Sequence, residues 1–385
     1  MVLRGIDICG VGTVTGYGWG TGPFWDGLVS GKPAATLTPG YGLDGNELAW
    51  VARVPDGGEG ADGRSRFARA MRAAARAAIT DARERGWRPG RQVGLLHAVV
   101  LGEVDLWRNF YRSGPPKQMR DYLAQMPSTP MSTLMQEYGF HGPAMNVSAM
   151  CASGNAGMLT AKAWLDAGIV DDVVFVATDL SLTPDNLEQF VRLGVAVADT
   201  EPLDGCRPFQ EGSRGFVMGE ASAAMVLSRQ TDRAYARILG GAMTHDGHHV
   251  TSIEPGLSEV QRCFREALAN AGVSPSDVRY LNAHGPGTAQ CDRAEGTVLE
   301  TLFPAEARVY SVKPLVGHCQ GAASAVEVAA AALAYEHGVI PASPIVAPAH
   351  PQLLDGATPM DGGITVKSSL GMGGHNSVLV LAPPA

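Results

Sequence analysis

The chain has 385 residues, 45% hydrophobic and 18% charged, with a formal net charge of -8. This composition suits a globular α/β chain of one large domain or two closely packed halves, and it lacks the basic face that general nucleic-acid binding requires. No apolar run is long enough for a bilayer, the N-terminus has no signal-peptide layout, and the six scattered cysteines contain no C-x-x-C pair; neither a zinc site nor a disulfide framework is expected, and a reducing cytoplasm is the simplest setting.

A strand is expected at 6–11 and a helix over 66–84. The series Arg64, Arg66, Arg69, Arg72 and Arg76 reads as a solvated helix face or a local basic patch for an acidic partner. A strand follows at 93–100. Residues 101–142, rich in charge and methionine and containing Pro115-Pro116, read as an insertion capping the core, a place for substrate and dimer contacts. A strand then runs into a small-residue helix over 152–167, and strands follow at 172–177 and 221–227. The polar stretch S-R-Q-T-D-R marks a boundary that divides the chain into 1–232 and 233–385. The second part starts with strand-like A-R-I-L-G-G. It continues with a helix over 258–271, strands at 278–283 and 307–312, a helix over 321–337, and strands at 363–367 and 377–381. The helix over 321–337 carries alanine and β-branched residues all round, which predicts burial. The alternation predicts an α/β fold with mainly parallel strands.

Cys151 lies at the joint of strand and small-residue helix, in A-M-C-A-S-G. Unsatisfied backbone N–H groups and the helix dipole at such a place favour a thiolate, so Cys151 is a candidate nucleophile. His284 in N-A-H-G and His318 in K-P-L-V-G-H occupy matching loop contexts. Two imidazole Nε2 groups near a thioester can hold an enolate oxygen as carbon dioxide leaves. The run S-L-G-M-G-G-H-N (369–376) is either a tight turn or part of an oxyanion hole in which the Met372 N–H pairs with that of Cys151. Lys313 and Glu327 frame His318, as a structural ion pair or as groups setting the histidines' protonation. His248-His249 reads as loop structure rather than a metal site, and His375 as structural.

These motifs resemble the β-ketoacyl-acyl-carrier-protein synthases, the elongating type with a Cys-His-His triad. The resemblance runs from G-V-G-T-V-T-G-Y-G (10–18) through A-M-C-A-S-G, C-R-P-F-Q-E-G-S-R-G-F-V-M-G-E (206–220), N-A-H-G-P-G-T-A-Q-C-D-R-A-E and S-V-K-P-L-V-G-H-C-Q-G to G-M-G-G-H-N. It implies a thiolase fold, two βαβαβαββ halves in five alternating layers, usually dimeric. It implies Cys151 as acyl acceptor, His284 and His318 as assistants to decarboxylation and condensation, and Lys313 and Glu327 at supporting positions. No bound cofactor is implied, because an acyl carrier protein brings the phosphopantetheine arm; Arg66 is a candidate for docking that acidic partner.

Several residues depart from the family pattern. Pro286 replaces a threonine that helps hold pantetheine, although Thr288 remains, and proline supplies neither hydroxyl nor N–H. Leu370 and Met372 replace phenylalanines, the second of which gates the acyl pocket. The usual glycine-rich loop after the 93–96 strand is absent. The H-G-P-G-T-A-Q-C-D-R-A-E form resembles ketosynthases of aromatic or polyene pathways more than those of housekeeping fatty-acid synthesis. The expected reaction is decarboxylative condensation of a Cys151-bound acyl group with a malonyl-type carrier thioester. The alternatives are transfer of that acyl group to an amine, alcohol or water, and a non-catalytic chain-length subunit in a heterodimer. The intact Cys151, His284 and His318 argue against the last. A degradative thiolase would need a second cysteine in the glycine loop, and Cys319 lies on a different one.

Overall fold

The computed structural model describes residues 5–41, 47–63, 65–112, 114 and 118–384; Arg64 and Pro115-Pro116 lie outside them. The main strands are β1 (Ile6–Thr15), β2 (Val93–Ala98), β3 (Ala144–Val147), β4 (Asp172–Asp179), β5 (Ala221–Ser228), β6 (Ala236–His245), β7 (Val278–Asn282), β8 (Arg308–Tyr310), β9 (Ile364–Gly371) and β10 (His375–Ala382). They join in the order β8-β7-β9-β10-β6-β1-β5-β4-β2-β3, and the two-residue strand Gly18–Trp19 pairs with β1.

That order contains a duplication. In each half the first strand pairs antiparallel with the fifth, the fifth antiparallel with the fourth, the fourth parallel with the second, and the second parallel with the third. The two first strands, β1 and β6, meet antiparallel with Ile6 opposite Ile238. The sheet is therefore mixed, not mainly parallel: five of the nine neighbour pairings along the path are antiparallel. The physical reason is visible at 372–374, a turn too short to join β9 and β10 in any other sense.

Five helices place the layers: α1 (Arg66–Glu84), α2 (Ser153–Asp166), α3 (Ser258–Ala271), α4 (Ala289–Leu302) and α5 (Ala323–His337). α1 covers β1, β4 and β5 from outside, and α3 covers β6 and β10. α2 and α5 touch each other between the sheets of the two halves. The result is helix, sheet, helices, sheet, helix, which agrees with the expected thiolase-type layering. Every residue of α5 from Ala323 to Ala334 is buried, as its all-round apolar surface requires. α2 and α5 approach closely because Gly154 has no side chain; a Cβ there would lie 2.5 Å from Ser324 Oγ.

The structure adds elements the sequence reading did not give, notably α4 and a helix over Thr21–Val29, and shortens the expected 307–312 strand to three residues. Among the described residues of 101–142 there are three helices, Val104–Arg112, Met119–Leu123 and Ser128–Tyr138. Met131, Leu134 and Phe140 anchor the segment on the apolar cluster beneath α1. Among the described residues, no helix is long and apolar enough to cross a membrane.

Candidate active site

Cys151 is placed by a strained turn. Met150 adopts a left-handed φ of 50°, a conformation costing about 1–3 kcal/mol in a residue other than glycine. Ser153 Oγ steadies it, accepting from the Ala149 N–H at 2.8 Å and donating to Met150 O at 2.6 Å. Cys151 precedes the N-cap residue Ala152 of α2. Its carbonyl accepts from Ser369 Oγ at 2.9 Å, which ties the turn to β9. Burial pushes its thiol up to about 11, against the opposing pull of the Lys313 ammonium and of the Met372 and Cys151 N–H groups. Burial therefore works against the expected thiolate preference, while the helix end and the N–H groups favour it. The two N–H groups expected to form an oxyanion hole do converge on Sγ.

His284 follows β7, and His318 sits between the short helix Lys313–Val316 and α5. Cys151 Sγ and one nitrogen of each imidazole lie within 4.8 Å of one another. The two rings meet edge to face with centroids 5.5 Å apart. His318 Nδ1 accepts from the Gln320 N–H at 3.1 Å, and His284 Nδ1 faces Lys313 Nζ at 3.3 Å. An ammonium only donates, so both rings take the tautomer with hydrogen on Nε2. Burial, reinforced by Lys313, holds both well below the usual histidine range. Two neutral N–H donors therefore meet beside the thiol. This donor set, with an ammonium behind it, suits a developing oxyanion and not a cation, so a metal does not fit the Cys-His-His cluster.

Behind the histidines lies a group only partly foreseen. Lys313 donates to Glu327 Oε1 and to the His284 carbonyl. Lys367, on β9, reaches Glu327 Oε2 at 2.7 Å. All three side chains are at most 1% exposed. Glu295, on α4, accepts from the N–H groups of His284 and Gly285 at 2.7 and 2.8 Å and from Ser368 Oγ at 2.5 Å. Asp179 accepts from the Gly321 N–H at 3.1 Å, bracing the turn after His318. Lys367, Glu295 and Asp179 were missed. The usable signal was a charged residue inside a strand or helix whose neighbours are uncharged or that is buried, the kind of signal that singled out Glu327.

A cavity of about 350 Å³ opens over Cys151, His284 and His318. Pro286, Thr288, Leu370 and Met372 all line it, with Phe190 and Phe216 on its apolar wall. Phe216 also packs on the His318 ring, centroids 4.6 Å apart. Among the described residues, none of 101–142 lines this cavity.

Arg66 does not present a free guanidinium. It forms a two-pronged pair with Glu220 and donates to Val54 O at 2.7 Å, and its side chain is only 10% exposed. Arg69 donates to Gly57 O, Arg72 pairs with Glu137, and Arg76 pairs with Asp62. These four described arginines are engaged in local bonds and form neither a solvated face nor an open basic patch. His249 Nδ1 accepts from the Thr251 and Ser252 N–H groups, which is loop structure. His375 packs against His245.

The profile described as "Beta-ketoacyl synthase, N-terminal domain" matches residues 4–233, and "Beta-ketoacyl synthase, C-terminal domain" matches 235–346. The chain belongs to the β-ketoacyl synthase family. It is accordingly an acyltransferase. Oxytetracycline polyketide putative beta-ketoacyl synthase 1 of Streptomyces rimosus is 30% identical over 99% of this chain and 97% of its own length. The chloroplastic 3-oxoacyl-[acyl-carrier-protein] synthase I of Hordeum vulgare is 29% identical over 76% of this chain and 66% of its own. Among solved structures, the ishigamide ketosynthase/chain length factor is 25% identical with a TM-score of 0.85, covering 99% of this synthase and 100% of that chain. A type II PKS ketosynthase bound to its acyl-carrier protein and hexaketide shares the fold at 24% identity and a TM-score of 0.85, covering 99% of this chain and 100% of that one.

Proposed function

We propose that this synthase performs decarboxylative condensation in polyketide or specialised fatty-acid assembly, with Cys151, His284, His318, Lys313, Glu327 and the Cys151 and Met372 amides as its working groups. The observation that carries the reading is the convergence of two Nε2–H imidazoles and two backbone N–H groups on one buried thiol.

The Cys151 thiol attacks an acyl-carrier thioester, and its proton passes to the carrier sulfur as the carrier's C–S bond breaks and the carrier thiol leaves. A malonyl-type carrier thioester then enters beside Thr288 and Pro286. Its carboxylate departs as carbon dioxide, and the electron pair forms an enolate whose oxygen accepts from His284 and His318. The enolate carbon attacks the Cys151 thioester. The oxyanion formed there sits between the Cys151 and Met372 N–H groups, and its collapse expels the Cys151 thiolate and leaves a 3-oxoacyl carrier thioester. Neutral rings suit this role, because each donates an N–H without first binding a proton.

In this reading residues 1–232 supply the nucleophile and 233–385 both histidines. The partners are an acyl carrier protein and either a second copy or a related chain-length subunit, as in the ketosynthase/chain length factor pair it resembles. The setting is the cytoplasm, and the phosphopantetheine arm arrives on the carrier.

The test is intact mass spectrometry of the protein and its Cys151→Ala variant with acyl- and malonyl-carrier proteins. An acyl adduct on the wild type alone, then a carrier product longer by two carbons, is the expected result. An adduct without elongation favours another acceptor or a missing partner subunit. No adduct with any acyl group overturns Cys151 as nucleophile.

A further inference from the structure

Lys367 is a fully buried lysine on β9, a strand whose other buried residues are apolar, small or hydroxyl-bearing. Its ammonium has two contacts, Glu327 Oε2 at 2.7 Å and the Ser368 carbonyl. Glu327 is thereby divided: one oxygen forms an ion pair with Lys367 and the other accepts a hydrogen bond from Lys313. A lone ammonium tends to settle between both oxygens of a carboxylate. Here the second oxygen is already taken, and the remaining hydrogens of Lys313 point at the His284 carbonyl and Nδ1. The strand itself is held in place, since Asn155 of α2 donates to the Lys367 carbonyl at 3.2 Å.

We propose that Lys367 is a positioning residue for the condensation: by occupying one oxygen of Glu327 it leaves Lys313 aimed at His284, and it adds a second buried positive charge behind the two imidazoles. The charged and titratable groups facing these rings are Lys313, Lys367, Glu327, Glu295, Asp179, Cys151 and the rings themselves. Two ammoniums against the one carboxylate between them favour the neutral, Nε2–H state of both rings, and burial alone would act in the same direction. Protonation at Nδ1 would set a ring N–H against Lys313 in His284 and against the Gln320 N–H in His318.

The role of Lys367 in setting the rings stands on geometry; its effect on rate rests on the condensation reading above. Lys367→Met and Lys367→Gln keep approximate length and remove the charge. The first measurement needs no substrate: the ring nitrogens of His284 and His318 are titrated by NMR in wild type and variants. The expected result is that both protonate about one pH unit higher in the variants, the size of a nearby-charge effect. The second is malonyl-carrier decarboxylation against pH, whose acid limb should move up by the same amount, with a roughly tenfold loss on the limb. Unmoved ring titrations in a folded variant overturn the proposal, even if activity falls. A wild type without decarboxylation overturns the condensation reading and leaves the ring result standing. Should neither variant fold, the ¹⁵Nζ resonance of Lys367 in wild type decides: an ammonium at neutral pH is required, and a neutral amine overturns the proposal.

Discussion

The buried thiol offers a quantitative test that needs no substrate. Cys151 is pushed up to about 11 from the ordinary 9. At pH 8 that lowers the thiolate share by about a hundredfold relative to a free cysteine. A more basic thiolate is also a better nucleophile, which with a Brønsted slope of about 0.4–0.5 returns roughly tenfold. Alkylation of Cys151 by iodoacetamide should therefore run roughly tenfold slower than that of a free cysteine at pH 8, and its rate should climb about tenfold per pH unit through pH 9.5. Peptide-resolved mass spectrometry separates Cys151 from Cys291, which lines the same cavity. Lys313→Met should slow the reaction further without changing the slope, because Lys313 opposes the effect of burial on the thiol. A rate that levels off below pH 8 would refute the reasoning. It would mean that the helix end and the two N–H groups outweigh burial, and that the free enzyme holds an activated thiolate.

Other predictions concern the groups that hold this site. Arg66→Ala should cost about 3–5 kcal/mol, since it strands the buried Glu220. Glu220 already stands near 7 with Arg66 present, so the folded state binds more protons than the unfolded one between about 4.5 and 7 and stability falls as pH rises. Losing Arg66 raises that carboxyl further, so denaturant melts should show a larger penalty at pH 8 than at pH 5; an equal penalty at both would contradict the pairing. Gly154→Ala puts a Cβ 2.5 Å from Ser324 Oγ and 2.7 Å from Ala325 N. Overpacking between α2 and α5 should cost about 1–3 kcal/mol, and an unchanged melting temperature would show that the helices yield freely. Gly371→Ala places a Cβ 2.9 Å from Ala149 O, between the Cys151 turn and the Met372 amide. Condensation should fall by about a hundredfold or more through misplaced oxyanion donors, while malonyl decarboxylation on His284 and His318 falls much less; equal losses in both would place the damage elsewhere.

Local pattern alone was enough to single out Cys151, both histidines, Lys313 and Glu327, which the fold brings together, because each stands in a short run whose residue types are unusual for plain structure. A cysteine opening a small-residue helix and a carboxylate in a run of alanines are visible without coordinates. The burial of α5 was legible for the same reason: it is apolar on every side, and such a helix must be covered on every side; the five-layer arrangement came from the family resemblance. Three things were decided only by tertiary structure. The sense of strand pairing depends on which strands become neighbours, and periodicity does not encode that. The fate of Arg66 depends on Glu220, 154 residues away in sequence; a row of arginines looks the same whether it meets water or buried carboxylates. The protonation of Cys151 is a contest between burial and a few N–H groups and ammoniums from distant segments. A helix end seen in sequence shows only one side of that contest, and the low polarizability of the packed interior determines its outcome.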